Sequence, residues 1–183
     1  TTQKGFRNPL HPLIRRLPTQ SFRNKRVAAG RWFTDTWLSK VPSIMRQDSA
    51  AQVFSNGKGY EEFIPIQGKR QAYEGLKTFI HNVGIHEHLI SDGAREQGAP
   101  GTYKTPWNKV VSKNHIHQTF IQPRCPFQNR AELSIGHISR SIRKKTARKR
   151  SPKRLWAFCG ELVAAIRQRT SSSNPTTMGR TPF

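Results

Sequence analysis

Ten carboxylates stand among 32 lysines and arginines in this chain of 183 residues, so the positions of the acids are informative. Asp35 interrupts the aromatic and β-branched run Arg31-Trp32-Phe33-Thr34-Asp35-Thr36-Trp37-Leu38. Asp92 follows the short apolar run His88-Leu89-Ile90 and Ser91, and Glu132 lies in the first turns of a helical pattern. A carboxylate inside an apolar strand is expensive unless a cation offsets its desolvation. Three carboxylates brought together repel one another and call for a divalent ion. Hard oxygen ligands suit Mg²⁺, and two such ions about 3.5–4 Å apart can activate an attacking oxygen and stabilise a leaving one in phosphoryl transfer. On the residues alone a second reading stays open, because aspartates at strand ends also act as caps and turn formers.

The elements that would position these acids can be read from periodicity. Arg31–Leu38 is strand-like. Ala51–Ser55 and Tyr60–Ile66 flank Asn56-Gly57-Lys58-Gly59, whose Asn-Gly pair suits a tight hairpin. Ala72, Leu76, Phe79, Ile80 and Val83 form the stripe of an amphipathic helix that Gly84 ends. His88–Ile90 is a fourth strand, residues 93–100 are loop, Trp107, Val110 and Val111 mark a short helix, and Ile116–Ile121 is a fifth strand. From Phe127, the spacing of Ala131, Ile135, Ile138 and Ile142 is helical, and that helix runs into Arg143–Arg150. Ser151-Pro152 reads as an N-cap with proline at the first helical position, before a helix bearing Leu155, Phe158, Cys159, Leu162, Val163 and Ile166 on one face. The result is a mixed α/β domain with an antiparallel start and helices packed on the sheet.

Composition excludes other classes. The net charge of +22 and a pI near 11.4 are the footprint of a chain that meets polyanions. The longest apolar run, Leu162 to Ile166, is far short of a membrane span, and no apolar signal core stands at the N-terminus. Two cysteines, Cys125 and Cys159, make neither a disulfide framework nor a four-cysteine zinc site. A chain opening on Thr1 is expected to be a piece of a longer product. Residues 1–30 hold seven basic residues, no acid and three prolines, and read as a basic arm or linker. Residues 31–150 read as the core, and residues 151–183 as a C-terminal helix with a Ser/Thr/Pro/Gly-rich tail.

Three ordered motifs carry a family resemblance. Trp32-Phe33-Thr34-Asp35, Leu89-Ile90-Ser91-Asp92-Gly93 and Pro126-Phe127-Gln128-Asn129-Arg130-Ala131-Glu132 together resemble the catalytic core of a retrotransposon integrase, most closely of the Copia type. Ser151-Pro152-Lys153-Arg154-Leu155-Trp156 and Gly179-Arg180-Thr181-Pro182-Phe183 are similar to later motifs of that region, so the likeness spans about residues 31–183. Glu96 occupies the place of the glutamate in the family's second motif. Arg130 stands where the family usually has Gly, Gly93-Ala94-Arg95 replaces Asn-Gly-Gly, and the 39 residues between Asp92 and Glu132 imply an insertion in the loop from Gly93 to Pro106. The resemblance implies an RNase H-like fold, a mixed five-stranded sheet flanked by helices. It further implies a catalytic and metal-binding triad of Asp35, Asp92 and Glu132 holding two Mg²⁺ or Mn²⁺ ions. The activity implied is 3′-end processing and strand transfer on element ends and target DNA, by a homo-oligomer, in the nucleus after a cytoplasmic particle stage. Gln128 and Asn129 would help position DNA. Two alternatives remain: a non-catalytic basic nucleic-acid-binding protein, decayed or domesticated, and an RNase H-type nuclease.

The stretch Arg140–Arg154 holds nine basic residues and no acid. Placed after Glu132, it reads as a phosphate-contacting surface, with Arg143, Lys144, Lys145, Lys149 and Arg150 as DNA contacts; the alternatives are a solvated face or an import signal. His86-x-His88 and His115-x-His117 place imidazoles in pairs on strands, read as surface or DNA-facing groups because zinc needs three or four ligands. Trp32, Trp37, Trp107 and Trp156 read as core or interface aromatics.

Overall fold

The computed structural model describes residues 30–98, 104–122 and 128–170. Five strands, β1 (Arg31–Leu38), β2 (Ala50–Ser55), β3 (Glu61–Ile66), β4 (His88–Ser91) and β5 (His117–Phe120), form one sheet in the order β3-β2-β1-β4-β5. The first three strands are antiparallel neighbours, while β4 runs parallel to both β1 and β5. The β2–β3 turn is the hairpin expected at Asn56-Gly57, with Gly57 at φ +67°, a conformation that costs glycine little.

Helices cover both faces of the sheet. On one face lie α1 (Ala72–Val83) and the short α2 (Pro106–Lys113), over a core of Trp32, Phe54, Ile64, Leu76, Phe79, Leu89 and Trp107. Phe79 stacks on Phe54 at 4.2 Å and meets the Trp32 ring edge-on at 4.8 Å. On the other face lie α3 (Arg130–Arg148), across β1 and β2, and α4 (Trp156–Arg169), across β3. Their core is Ala51, Val53, Phe63, Ile138, Ile142, Trp156 and Val163. Strand alternation therefore assigns Trp32 and Thr34 to the α1 face, and Phe33, Asp35 and Trp37 to the α3 face. Trp32, Trp107 and Trp156 are buried and Trp37 packs against the second core, as expected of core aromatics.

Three expectations need correction. The α-helix near the C-terminus begins at Trp156, not at Ser151-Pro152; residues Lys153–Leu155 form a 3₁₀ turn in which Leu155 N–H donates to Pro152 C=O. The buried side of that helix is Trp156, Ala157, Gly160, Val163 and Ala164, whereas Phe158, Leu162 and Ile166 are exposed. The reason is a close approach: a Cβ on Gly160 would lie 2.3 Å from Phe63 Cε1, so the glycine edge, not the bulky stripe, meets β3. His86 is not a surface group. It precedes β4, is fully buried, and packs edge-on against the Phe79 ring at 5.3 Å. Cys125 and Phe127 lie outside the described residues, as do residues 1–29, 99–103 and 171–183. Among the described residues no helix is long and apolar enough to cross a membrane.

Candidate active site

Strand register sets two of the three acids level with each other. Phe33 pairs with Ile90 on the parallel neighbour, so continuing that register by two residues sets Asp35 level with Asp92, just past the end of β4. Asp35 also opposes Val53 on β2, which places its side chain on the α3 face. Glu132 enters from the first turn of α3. That turn is fixed to the sheet by Asn129, which is almost fully buried: its Oδ1 accepts the Ala131 N–H, capping the helix, and its Nδ2 donates to Thr34 C=O at 3.3 Å. The amide is committed to this clamp, which fixes the helix turn that carries Glu132. Of the Gln128-Asn129 pair, Gln128 is the exposed member. Arg130 caps the arrangement from outside, donating to Gly57 C=O in the β2–β3 hairpin at 3.0 Å.

The charges of the other two acids reach Asp35. The Asp35 carboxyl is pushed up from the ordinary 3.8 to about 6, chiefly by burial, with further upward contributions from the charges of Asp92 and Glu132. The Thr36 N–H, 2.7 Å from Oδ1, and the Lys69 ammonium oppose that shift without cancelling it. Asp92 is exposed, and its Oδ1 accepts the Ala94 N–H in a local turn. Glu96, the second-motif position, is half-buried and pairs with Lys69 at 3.6 Å. Among the described residues, no three His, Cys, Asp or Glu side chains stand close enough to hold one metal ion. The donor chemistry nonetheless fits a hard divalent cation: three carboxylates, one of them desolvated and repelled by the other two.

On the opposite face of β1, a chain of buried and half-buried amides and hydroxyls braces the site. Gln52 Nε2 donates to Thr34 Oγ1 at 2.6 Å, and Thr36 Oγ1 donates to Gln52 Oε1 at 2.9 Å. Gln97 Nε2 donates to Thr36 Oγ1, while Gln118 Nε2 donates to Gln97 C=O and to Ser91 Oγ. Trp107 Nε1–H completes the chain on Gln118 Oε1. Gln97 is fully buried five residues after Asp92, so the loop carrying Asp92 is tied to β1 and β5 rather than free to swing. Sequence reasoning missed this brace. Alternation could have pointed Thr34 inward, yet nothing local marks Gln97 as buried or Gln118 as its partner.

The predicted DNA-contacting residues of α3 lie along its second half. Arg143 and Lys144 are exposed and Lys145 is half-buried; Lys149 and Arg150, just past the helix, are exposed. They begin eleven residues beyond Glu132, about 17 Å along the helix axis at 1.5 Å per residue.

No family profile matches the chain, and no curated protein matches it by sequence. Solved structures do. The HTLV-2 integrase catalytic core in complex with magnesium superposes in its trimeric form with a TM-score of 0.62 at 12% identity, covering 83% of this chain and 92% of that one. Its dimeric form gives 0.59 at 12% identity, covering 84% and 95%. A chain of the simian T-cell lymphotropic virus intasome, in complex with the PP2A regulatory subunit B56 gamma, gives 0.64 at 14% identity, covering 83% of this chain and 52% of that one. With strand order, register and helix placement already described, this likeness identifies the fold: an RNase H-like α/β domain of the kind seen in retroviral integrase catalytic cores.

Proposed function

We propose that this chain is an integrase-type polynucleotidyl transferase core, with Asp35, Asp92 and Glu132 as its catalytic carboxylates. The observation that supports it most is the placement of Asp35: a desolvated carboxylate, level by register with Asp92 just past the end of the adjacent parallel strand, and acted on by the charges of Asp92 and Glu132. A desolvated carboxylate on which the charges of two other acids act, with Thr36 N–H and Lys69 not cancelling the shift, is suited to a divalent ion. Mg²⁺ or Mn²⁺ bound there, two ions by the resemblance, would supply polarisation of the attacking and leaving oxygens of a phosphodiester. The chain's own residues hold and orient: Asn129 fixes the turn that carries Glu132, the Gln97–Gln118 brace fixes the Asp92 loop, and Gln128 with the basic end of α3 receives the DNA backbone. No side chain need form a covalent intermediate, because water or a DNA 3′-hydroxyl is the nucleophile. The order of motifs supports a Copia-like subtype, element ends and target DNA as substrates, a homo-oligomeric state and work in the nucleus. Residues 31–150 would be the core, with residues 1–30 an arm and 151–183 completing the region.

Asp92→Asn keeps shape and removes a charge that would bind metal. Joining of labelled DNA ends to target DNA in Mg²⁺ or Mn²⁺ should fall by at least about a hundredfold while DNA binding persists. Equal joining by both proteins would remove Asp92 from the site. A second reading, a basic DNA-binding protein without catalysis, is favoured by the absence of a closed three-ligand cluster among the described residues. It predicts binding without joining in the wild type. Metal-dependent cutting of an RNA–DNA hybrid without joining would instead favour the nuclease.

A further inference from the structure

Two side-chain repeats below the acids, the sheet carries a second level row of functional groups. Arg31 on β1, His88 on β4 and His117 on β5 are successive register partners across three parallel strands. Arg31 is four residues before Asp35 and His88 four before Asp92, so alternation puts the row on the same face as the acids. The His88 and His117 ring centroids are 4.8 Å apart. His88 Nε2 is hydrogen-bonded to the hydroxyl of Thr119, the next residue of β5 on that face. Arg31, His117 and Thr119 are exposed and His88 is half-buried.

The row contains no carboxylate, and like charges set side by side across strands destabilise one another. That repulsion is visible in His88, whose imidazole is held below its ordinary pKa by partial burial and then by the charges of His117 and Arg31. An anion seated among the three groups would reverse the sign of each interaction. Guanidinium and imidazolium N–H groups with a hydroxyl also form a donor set that matches phosphate oxygens.

We infer that Arg31, His88, His117 and Thr119 form a phosphate-binding row that holds the nucleic-acid backbone beyond the reacting bond. The inference rests on the proposed reading of the three acids. At 3.3 Å per strand residue the two rows are about 13 Å apart, roughly four base steps along one strand of a duplex. The row lies on β1, β4 and β5, so the phosphates it would hold are distinct from those proposed for the basic end of α3.

The test pairs DNA binding with an anion probe on the full chain. Arg31→Gln and the double variant His88→Gln/His117→Gln, each checked by circular dichroism, should weaken binding of a duplex oligonucleotide several-fold. Each should lower the log–log salt slope by roughly 0.9 for every phosphate it leaves unneutralised. In the wild type at pH 6, inorganic phosphate should shift the ring resonances of His88 and His117 in histidine NMR spectra, and Arg31→Gln should weaken that response. Unchanged affinity and slope in both variants would overturn the inference, as would ring resonances indifferent to phosphate. Zn²⁺ binding by the pair that phosphate does not compete with would assign it to a metal and overturn it too. A wild type that binds no DNA, yet whose His88 and His117 rings respond to phosphate, would discard the functional reading and keep the anion row.

Discussion

The uncompensated charge of Asp35 makes a prediction about stability as well as catalysis. With its pKa at about 6 in the fold against 3.8 when exposed, the folded state holds the proton more tightly than the unfolded chain. This contribution to stability is therefore greatest below pH 3.8, declines as pH rises through 3.8 to 6, and stays at its low value above 6. At about 1.4 kcal/mol per pKa unit the full penalty approaches 3 kcal/mol, or about 2–3 after allowing for partial exposure. Asp35→Asn removes the charge and keeps the acceptor for Thr36 N–H. Without divalent metal at pH 7.5, the variant should be more stable than wild type by about 2–3 kcal/mol, a Tm rise of about 4–12 °C for a chain of this size. The difference should vanish near pH 4. Added Mg²⁺ should then close most or all of that gap: an ion at about a hundred times its Kd stabilises by about 2.7 kcal/mol, and only the wild type should gain it. Urea melts of both proteins from pH 4 to 8, in EDTA and in Mg²⁺, measure every part of this. An Asn variant no more stable than wild type at pH 7.5 would refute the argument that Asp35 is held against its own solvation. Equal Mg²⁺ stabilisation of both would refute its role as a ligand.

Three further outcomes are expected. Gly160→Ala drives a methyl into the Phe63 ring, 2.3 Å from Cε1, and should destabilise by about 1–3 kcal/mol in urea melts without changing DNA affinity per folded molecule. His86 is buried with its pKa lowered to about 4 by desolvation, so its contribution to stability is intact above pH 6.5 and is lost as pH falls towards 4, by up to about 3 kcal/mol. This slope opposes that of Asp35, and His86→Leu should flatten it when the two proteins are compared across the same range. Replacing Arg143, Lys144 and Lys145 together with Ala should weaken binding to all DNA sequences and lower the salt slope by roughly 0.9 for each phosphate left unneutralised, up to about three phosphates; an unchanged slope would make that run a solvated face.

Much of the architecture is legible in the sequence because it is written in local periodicity. The Arg31–Leu38 strand, the Asn56-Gly57 hairpin and the stripe of Ala72, Leu76, Phe79 and Val83 each depend on residues within a few turns of one another, and each is found where the pattern puts it. The three motifs likewise name Asp35, Asp92 and Glu132. Tertiary structure decided what depends on partners far away in the chain. Periodicity puts Phe158, Leu162 and Ile166 on one apolar face with Val163, but the ring of Phe63 meets the Gly160 edge of that helix and leaves those three exposed. A histidine reads the same in sequence whether wet or dry, and it is the packing of Phe79 that buries His86. Asn129 looks like a DNA contact until the docking of α3 on Thr34 turns its amide inward. The level rows of the sheet, acids above and Arg31, His88 and His117 below, exist only once β4 pairs in parallel with β1 and β5, because register between strands is a property of the folded sheet and not of any one segment.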